Sequence, residues 1–182
     1  IDCGTRSGLY DVLSSRFNVI RFPYDASAKD IKESGAQGLI VSSGPGNPNA
    51  PELKVTIETI SKLTKCMPTM GIALGCDLIA LAFGAKVVPM KFGHHGCNQP
   101  VKINGRICMT AQSQDFCIDP ESIGSTGLPV TQTNLNDDVI EGFKHSELKV
   151  FGYEYHPEGR TGPEDTIFLF DDFLNVIKGA SQ

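Results

Sequence analysis

The sequence predicts an α/β fold: an open, mostly parallel central sheet with flanking helices and an antiparallel extension. Three observations carry that expectation. Up to Gly84, short β-rich runs alternate with helical patterns, and the strands pass into their helices through tight glycine turns. After Gly84 the runs are almost all strand-like, with one clear hairpin signal.

Taken in order, Leu9, Val12, Leu13 and Phe17 recur at helical spacing, and residues 18–22 read as a short strand. Ser27 with Asp30 three positions on resembles a capping box for a helix over 28–34. Residues 38–42 form a buried strand that runs into the turn Gly44-Pro45-Gly46-Asn47-Pro48, and Leu53, Ile57, Ile60 and Leu63 mark the next helix. A strand over 69–73 is followed, with almost no loop, by a helix over 76–83. Strands are then expected over 85–90, 100–103, 106–111, 116–119, 130–133, 139–143 and 150–155, with Asn104-Gly105 as a hairpin turn. A final helix over 164–178 carries Ile167, Phe168, Phe170, Phe173, Leu174 and Ile177 and can close the sheet.

A chain of 182 residues with 40% hydrophobic and 20% charged residues fits one globular domain spanning 1–182. The net charge of −5, with Lys and Arg scattered singly, supplies no basic stripe for nucleic acid. The longest apolar stretch, residues 78–83, is far shorter than the roughly 20 residues of a membrane-spanning helix. Six cysteines (Cys3, Cys66, Cys76, Cys97, Cys108, Cys117) show neither a C-x-x-C pair nor zinc-ligand spacing, so thiols in a reducing compartment are expected, with no metal and no cofactor. Ile1-Asp2-Cys3-Gly4 reads as the end of a buried strand, and the last residues as a helix tail entering a linker. The chain is therefore expected to be part of a longer polypeptide.

The chemistry concentrates in Thr69-Met70-Gly71-Ile72-Ala73-Leu74-Gly75-Cys76-Asp77-Leu78. A strand that turns directly into a helix, with glycines two before and two after the central residue, is a nucleophile elbow. Its helix N-terminus offers amides to a developing oxyanion. Such an elbow presents Ser or Cys, and here it presents Ala73. Gly44-Pro45-Gly46 can bring backbone amides beside it, and Tyr155-His156-Pro157-Glu158 supplies a base with an orienting carboxylate. Two such glycines also suit a plain strand-to-helix turn, and a His before Pro also suits an ordinary loop. The ordered trio of turn, elbow and His-Pro-Glu is the specific signal.

These motifs resemble the class I, triad-type glutamine amidotransferases, and within them the small subunit of carbamoyl-phosphate synthetase. Ser43 to Pro48 resembles its S-N-G-P-G-D-P loop, and Gly71 to Gly75 its G-I-C-L-G elbow. Lys91-Phe92-Gly93-His94-His95-Gly96-Cys97-Asn98-Gln99-Pro100-Val101 resembles the segment M-K-F-G-H-H-G-x-N-x-P-V that marks the synthetase branch, and Thr110-Ala111-Gln112 and Gly162-Pro163 continue the series. The resemblance covers essentially the whole chain. It implies an oxyanion region of Gly44, Gly46 and the Leu74 amide, a base in His156 oriented by Glu158, and Ala73 in place of the nucleophile. It also implies a glutamine pocket altered at Asp77, Ser113 and Asp115, beside Phe116, where the family carries Gln, Asn and Gly at the first three positions.

The reading that follows is an amidotransferase-like domain without glutamine hydrolysis, structural or regulatory in role. It would bind glutamine weakly or not at all and dock on, or be fused to, an ATP-grasp synthetase that uses free ammonia. Urea-cycle-type synthetases, which lack the elbow cysteine, set the precedent in form. One alternative is an active glutamine-hydrolysing subunit carrying an introduced Cys-to-Ala change at position 73. Another is a small-ligand module in which Asp77 and Asp115 select an amine-bearing ligand. Cys76, third in the helix and without flanking glycines, is not expected to replace the nucleophile. The expected compartment is the cytoplasm, or the mitochondrial matrix.

Overall fold

The computed structural model describes residues 1–160 and 162–180. In chain order the elements are α1 (Ser7–Ser14), α2 (Ala28–Glu33), β1 (Leu39–Val41), α3 (Lys54–Leu63), β2 (Thr69–Ile72), α4 (Leu74–Ala82), β3 (Val87–Ile103), β4 (Arg106–Ile118), α5 (Pro120–Ile123), β5 (Val130–Asn134), β6 (Ile140–His145), β7 (Val150–Tyr153) and α6 (Phe168–Ala180). The strands form one sheet in the order β1-β2-β7-β6-β5-β3-β4. Pairing is parallel in the two pairs from β1 through β2 to β7 and antiparallel in the four pairs beyond, so the antiparallel extension makes up the larger part of the sheet.

Period-two alternation in β2 and β7 sets the layers. Met70, Ile72, Phe151 and Tyr153 turn to one face, where Leu9, Val12 and Leu13 of α1 and Phe170 and Phe173 of α6 complete a core. Phe173 meets Phe151 edge-on, with ring centroids 5.9 Å apart. Val150 turns to the other face and joins Leu74, Leu78 and Ile79 of α4, with Ile60 and Leu63 of α3 and Ile31 of α2 packed beyond. The Ser27 hydroxyl accepts from the Asp30 amide at 3.2 Å, as the capping spacing predicts. Asn104 and Gly105 both take positive φ, the hairpin turn that their sequence signals. Among the described residues, no helix is long and apolar enough to cross a membrane.

Two expectations change. Residues 18–22 are extended but form no strand, because only Asp2 lies alongside: its amide donates to the Phe22 carbonyl, and the pairing stops at a single bridge between Asp2 and Pro23. The four separate runs expected between residues 85 and 119 merge into two long strands, β3 and β4. Register shifts between Pro89 and His94 and between Gly96 and Gln99 absorb the irregular glycine-rich stretch without ending the strand.

Those shifts aim His94 into the protein. Its Nδ1 lies 2.8 Å from Gln112 Oε1 and 3.3 Å from Glu141 Oε1, and its Nε2 lies 2.8 Å from Asp137 Oδ2. Glu141 is fully buried and also accepts from Asn134 Nδ2 at 2.9 Å. The Glu141 carboxylate, with Asp137 behind it, holds the imidazole protonated up to about pH 9. This ion pair ties the β3–β4 ribbon to β5 and β6.

Removing one partner of a buried pair strands the other charge, at a cost of about 3–5 kcal/mol. His94→Leu should therefore lower the urea-unfolding free energy by about that amount at pH 6, and Glu141→Gln in the same background should recover part of it. The folded imidazole titrates above its unfolded value, so its contribution is complete below about pH 6.5. It fades as pH rises toward 9, and the gap between parent and His94→Leu should narrow over that window.

Candidate active site

The carboxyl ends of the three parallel strands meet at one crevice, where open α/β sheets place their ligands. β1 continues into Ser43 and Gly44, β2 into Ala73, and β7 into Glu154 and His156, all of which line a cavity of about 390 Å³.

Close backbone packing shapes its floor. A Cβ on Gly71 would collide with the Gly75 backbone, one on Gly75 with the Val41 carbonyl, and one on Gly44 with the Cys3 carbonyl. The chain therefore has no room to turn gradually between β2 and α4. The reversal falls on Ala73, which adopts φ 49° and ψ −117° as the residue preceding α4. That conformation is strained for a residue with a Cβ, by roughly 1–3 kcal/mol. It is held by the Ala73 amide donating to Tyr153 O at 2.7 Å and by the Ala73 carbonyl accepting from Cys76 N at 2.7 Å. Leu74 opens α4, so its amide has no acceptor within the helix and lies at the cavity wall.

His156 borders the cavity from the loop after β7, positioned by its amide donating to Ala111 O at 2.9 Å. Behind it, Glu158 is buried, with Oε1 3.2 Å from His156 Nδ1. The contact is close but lacks the alignment of a hydrogen bond. His156 thus stands on the same cavity as the elbow, with Glu158 behind it.

The structure brings Gly44, Gly46, Ala73, Leu74, Asp77, Ser113, Asp115, Phe116 and His156 to this one cavity. Their depth differs. Asp77 is buried, whereas Ser113 and Asp115 lie exposed at the rim and Asp115 Oδ1 is held 3.0 Å from His95 Nε2. The β4 alternation that turns Ser113 and Asp115 outward turns Gln112 and Gln114 inward, and Gln114 lines the interior.

Sequence reasoning missed Gln114 and, more consequentially, Glu154. Glu154 is buried at the cavity wall, immediately after β7 and two residues before His156. Its amide donates to Glu141 O at 3.0 Å. An acid between the apolar Tyr153 and Tyr155 in a strand that reads as buried was the available signal. Asp77 and Glu154 are buried close enough to each other for their carboxyls to interact. Burial drives both carboxyls up, Asp77 to about 8 and Glu154 well above the usual range. Cys76 is fully buried and packs under Gly152, and burial beside Glu154 pushes its thiol far above the reactive range.

An acid that titrates higher in the folded chain than in the unfolded one costs nothing while protonated in both. Its cost grows as pH rises from about 4 toward 8. Asp77→Asn should accordingly stabilise the protein more at pH 8 than at pH 5, with a difference in unfolding free energy of at least about 1 kcal/mol. Ala73→Gly should raise stability by about 1 kcal/mol at either pH, because strain relief exceeds the added flexibility of the unfolded chain. Urea titrations of both variants at the two pH values check these expectations.

Comparison with known proteins agrees with this geometry. The family described as Glutamine amidotransferase class-I matches residues 1–176. The carbamoyl phosphate synthase small chain of Archaeoglobus fulgidus is 42% identical over 181 residues, covering 98% of this chain and 50% of that protein. The small chain of Oceanobacillus iheyensis is 41% identical over 183 residues, covering 99% and 50%. The chain thus spans about half the length of the curated relatives it matches. Among solved structures, a Thermoplasma acidophilum protein described as a GMP synthase subunit superposes with a TM-score of 0.80 at 20% identity, covering 98% of this chain and 92% of that one. A glutamine amidotransferase from Methylobacillus flagellatus gives 0.63 at 17% identity, covering 85% and 68%, and shares the fold. By sequence, by sheet order and by the elbow at its centre, the chain belongs to the class I glutamine amidotransferases.

Proposed function

We propose that the chain is an amidotransferase-like domain of a carbamoyl-phosphate synthetase that does not hydrolyse glutamine. It docks on, or is fused to, an ATP-grasp synthetase that takes free ammonia. One observation carries this reading: the elbow keeps its strained backbone, but at its tip stands the methyl group of Ala73. Acyl transfer from glutamine needs a nucleophile at that point. His156 and Glu158 can move or hold a proton, but neither replaces the thiolate that would form the acyl-enzyme. The nearest thiol in the helix, Cys76, is buried away from the cavity and held protonated.

The cavity wall supports the same reading. A carboxylate about 5 Å from the α-carboxylate of a bound glutamine repels it by roughly 3 kcal/mol at an effective dielectric of 20. Asp115 borders the space that the substrate would enter, and Asp77 and Glu154, raised above the usual carboxylate range by burial, add their repulsion there as they ionise. Glutamine binding is therefore weak or absent in this proposal, and the domain contributes structure or regulation to its synthetase.

A steady-state glutaminase assay, run with and without the synthetase partner, tests the proposal. Turnover should fall about 10⁶-fold below that of a working triad enzyme. Ala73→Cys alone should not restore it, because a thiol without a bound and oriented substrate lacks the positioning on which rate depends. Recovery is expected when Ala73→Cys is combined with Asp77→Gln, Glu154→Gln, Ser113→Asn and Asp115→Gly. Robust turnover in the single variant would instead favour an active glutamine-hydrolysing subunit in which position 73 alone has been changed.

A further inference from the structure

The buried acids of this domain divide into two groups with different charge balance. Glu141 has a cation: His94 lies 3.3 Å away and carries its proton at neutral pH. Asp77 and Glu154 have none. Beyond each other and the weakly donating Cys76 thiol, Asp77 Oδ1 and both carboxyl oxygens of Glu154 are buried without a hydrogen-bond donor among the described residues. The side chains are 5% and 1% exposed, and both line the cavity. The basic side chains on the same cavity are Arg6, which is exposed, and His156.

Independent of the acids, two neutral polar side chains are buried on the same cavity without partners. Ser43, 4% exposed, leaves its Oγ unbonded, and Gln114, 8% exposed, leaves both its Oε1 and its Nε2 unbonded. Buried polar atoms without partners are rare in native proteins, because each costs the desolvation of the group. Here they line one cavity of about 390 Å³ from three directions: Ser43 from the end of β1, Gln114 from β4, and the acid pair from α4 and the end of β7. All but one of these atoms are oxygens, and so acceptors. Such a set of oxygens matches a compact cation that donates several hydrogen bonds.

We propose that this cavity binds a primary ammonium group, either the ammonium ion itself or a small alkylammonium, on the Asp77–Glu154 pair with Ser43 Oγ and Gln114 Oε1 as further acceptors. An ammonium nitrogen presents three or four N–H donors, which this set of oxygens complements, and its unit positive charge favours ionisation of the acid pair beside it. A calcium-sized ion takes six to eight oxygens. Among the described residues, no three His, Cys, Asp or Glu side chains converge as metal ligands. Glutamine also bears an ammonium group, but the α-carboxylate beside it is repelled wherever the acid pair ionises, which a lone ammonium or alkylammonium ion avoids. The inference rests on the reading of the cavity as one that does not hydrolyse glutamine, and it gives the cavity the nitrogen species that an ammonia-using synthetase consumes.

Thermal unfolding of the protein at pH 8 and constant ionic strength, titrated with ammonium chloride, tests the proposal. Methylammonium, tetramethylammonium and potassium chlorides serve as parallel arms. Ammonium should raise the midpoint saturably, by about 3–5 °C at ten times its dissociation constant. A matching response to methylammonium would assign the site to the R–NH3⁺ group, and a response to ammonium alone would assign it to the ion. Tetramethylammonium, which has the charge but no N–H, should give no saturable shift. Asp77→Asn and Glu154→Gln keep the side-chain shapes and remove the charge, and both should abolish the shift. Glu33→Gln, on an exposed helix face, should retain it. An equal response to tetramethylammonium or potassium, no response to either amine, or an undiminished response in Glu154→Gln would each overturn the proposal. No glutamine is present in this titration, so its failure leaves the glutaminase result standing, and glutamine turnover would in turn be detected by the other assay alone.

Discussion

The approach of bare backbone to bare backbone at the β2–α4 junction is the constraint on which the rest of the site depends. Gly75 lies against the Val41 carbonyl and Gly71 against Gly75, so strand β1, strand β2 and the first turn of α4 occupy space that no side chain can share. The reversal between strand and helix is thereby compressed into Ala73, whose backbone takes the strain. The same compression brings the Leu74 amide, the Gly44 loop and the β7 end to one point. A scaffold of this kind does not depend on the side chain at its tip, which explains how the geometry of acyl-transfer chemistry persists around an alanine.

Electrostatics separates what is structural in this domain from what is available. His94, bonded to Gln112 and paired with Glu141, pins the antiparallel ribbon over the cavity region and closes its own charge balance. The Asp77–Glu154 pair remains open on the side of the cavity. Both groups were assembled from elements distant in sequence, and both are buried. Only the second faces a space large enough to receive something.

Much of this was legible in the sequence because local chemistry determined it. The elbow followed from glycine spacing, the hairpin from Asn104-Gly105, the α2 start from Ser27 and Asp30, and the shared cavity from the ordered motifs. The remainder depended on tertiary facts. Residues 18–22 have strand composition but only Asp2 to pair with. The merger of four runs into β3 and β4 relies on bulges that absorb glycine-rich irregularity, which no local pattern announces. Asp115 reads as a pocket residue, yet the β4 alternation turns it outward to His95 and turns Gln114 in. Glu154 was missed although it sits between two tyrosines in a strand that reads as buried, because the acid it packs against, Asp77, comes from a helix distant in sequence.

The pairing of β2 with β7 has a consequence for how the protein comes into being. Thr69 lies beside Val150, across nearly half the chain, while the β3–β4 hairpin between them pairs near neighbours. Closing a long loop costs entropy before any contact repays it, so the hairpin can form early and the parallel pairing of β2 with β7 only late. During synthesis, the elbow and the Gly44 loop emerge well before the strand that completes their cavity. The acid at position 77 therefore spends that interval in water, ionised at no cost. It meets Glu154 and its burial only when the last strand docks, so the final step of folding is also the step at which this cavity acquires its unusual proton.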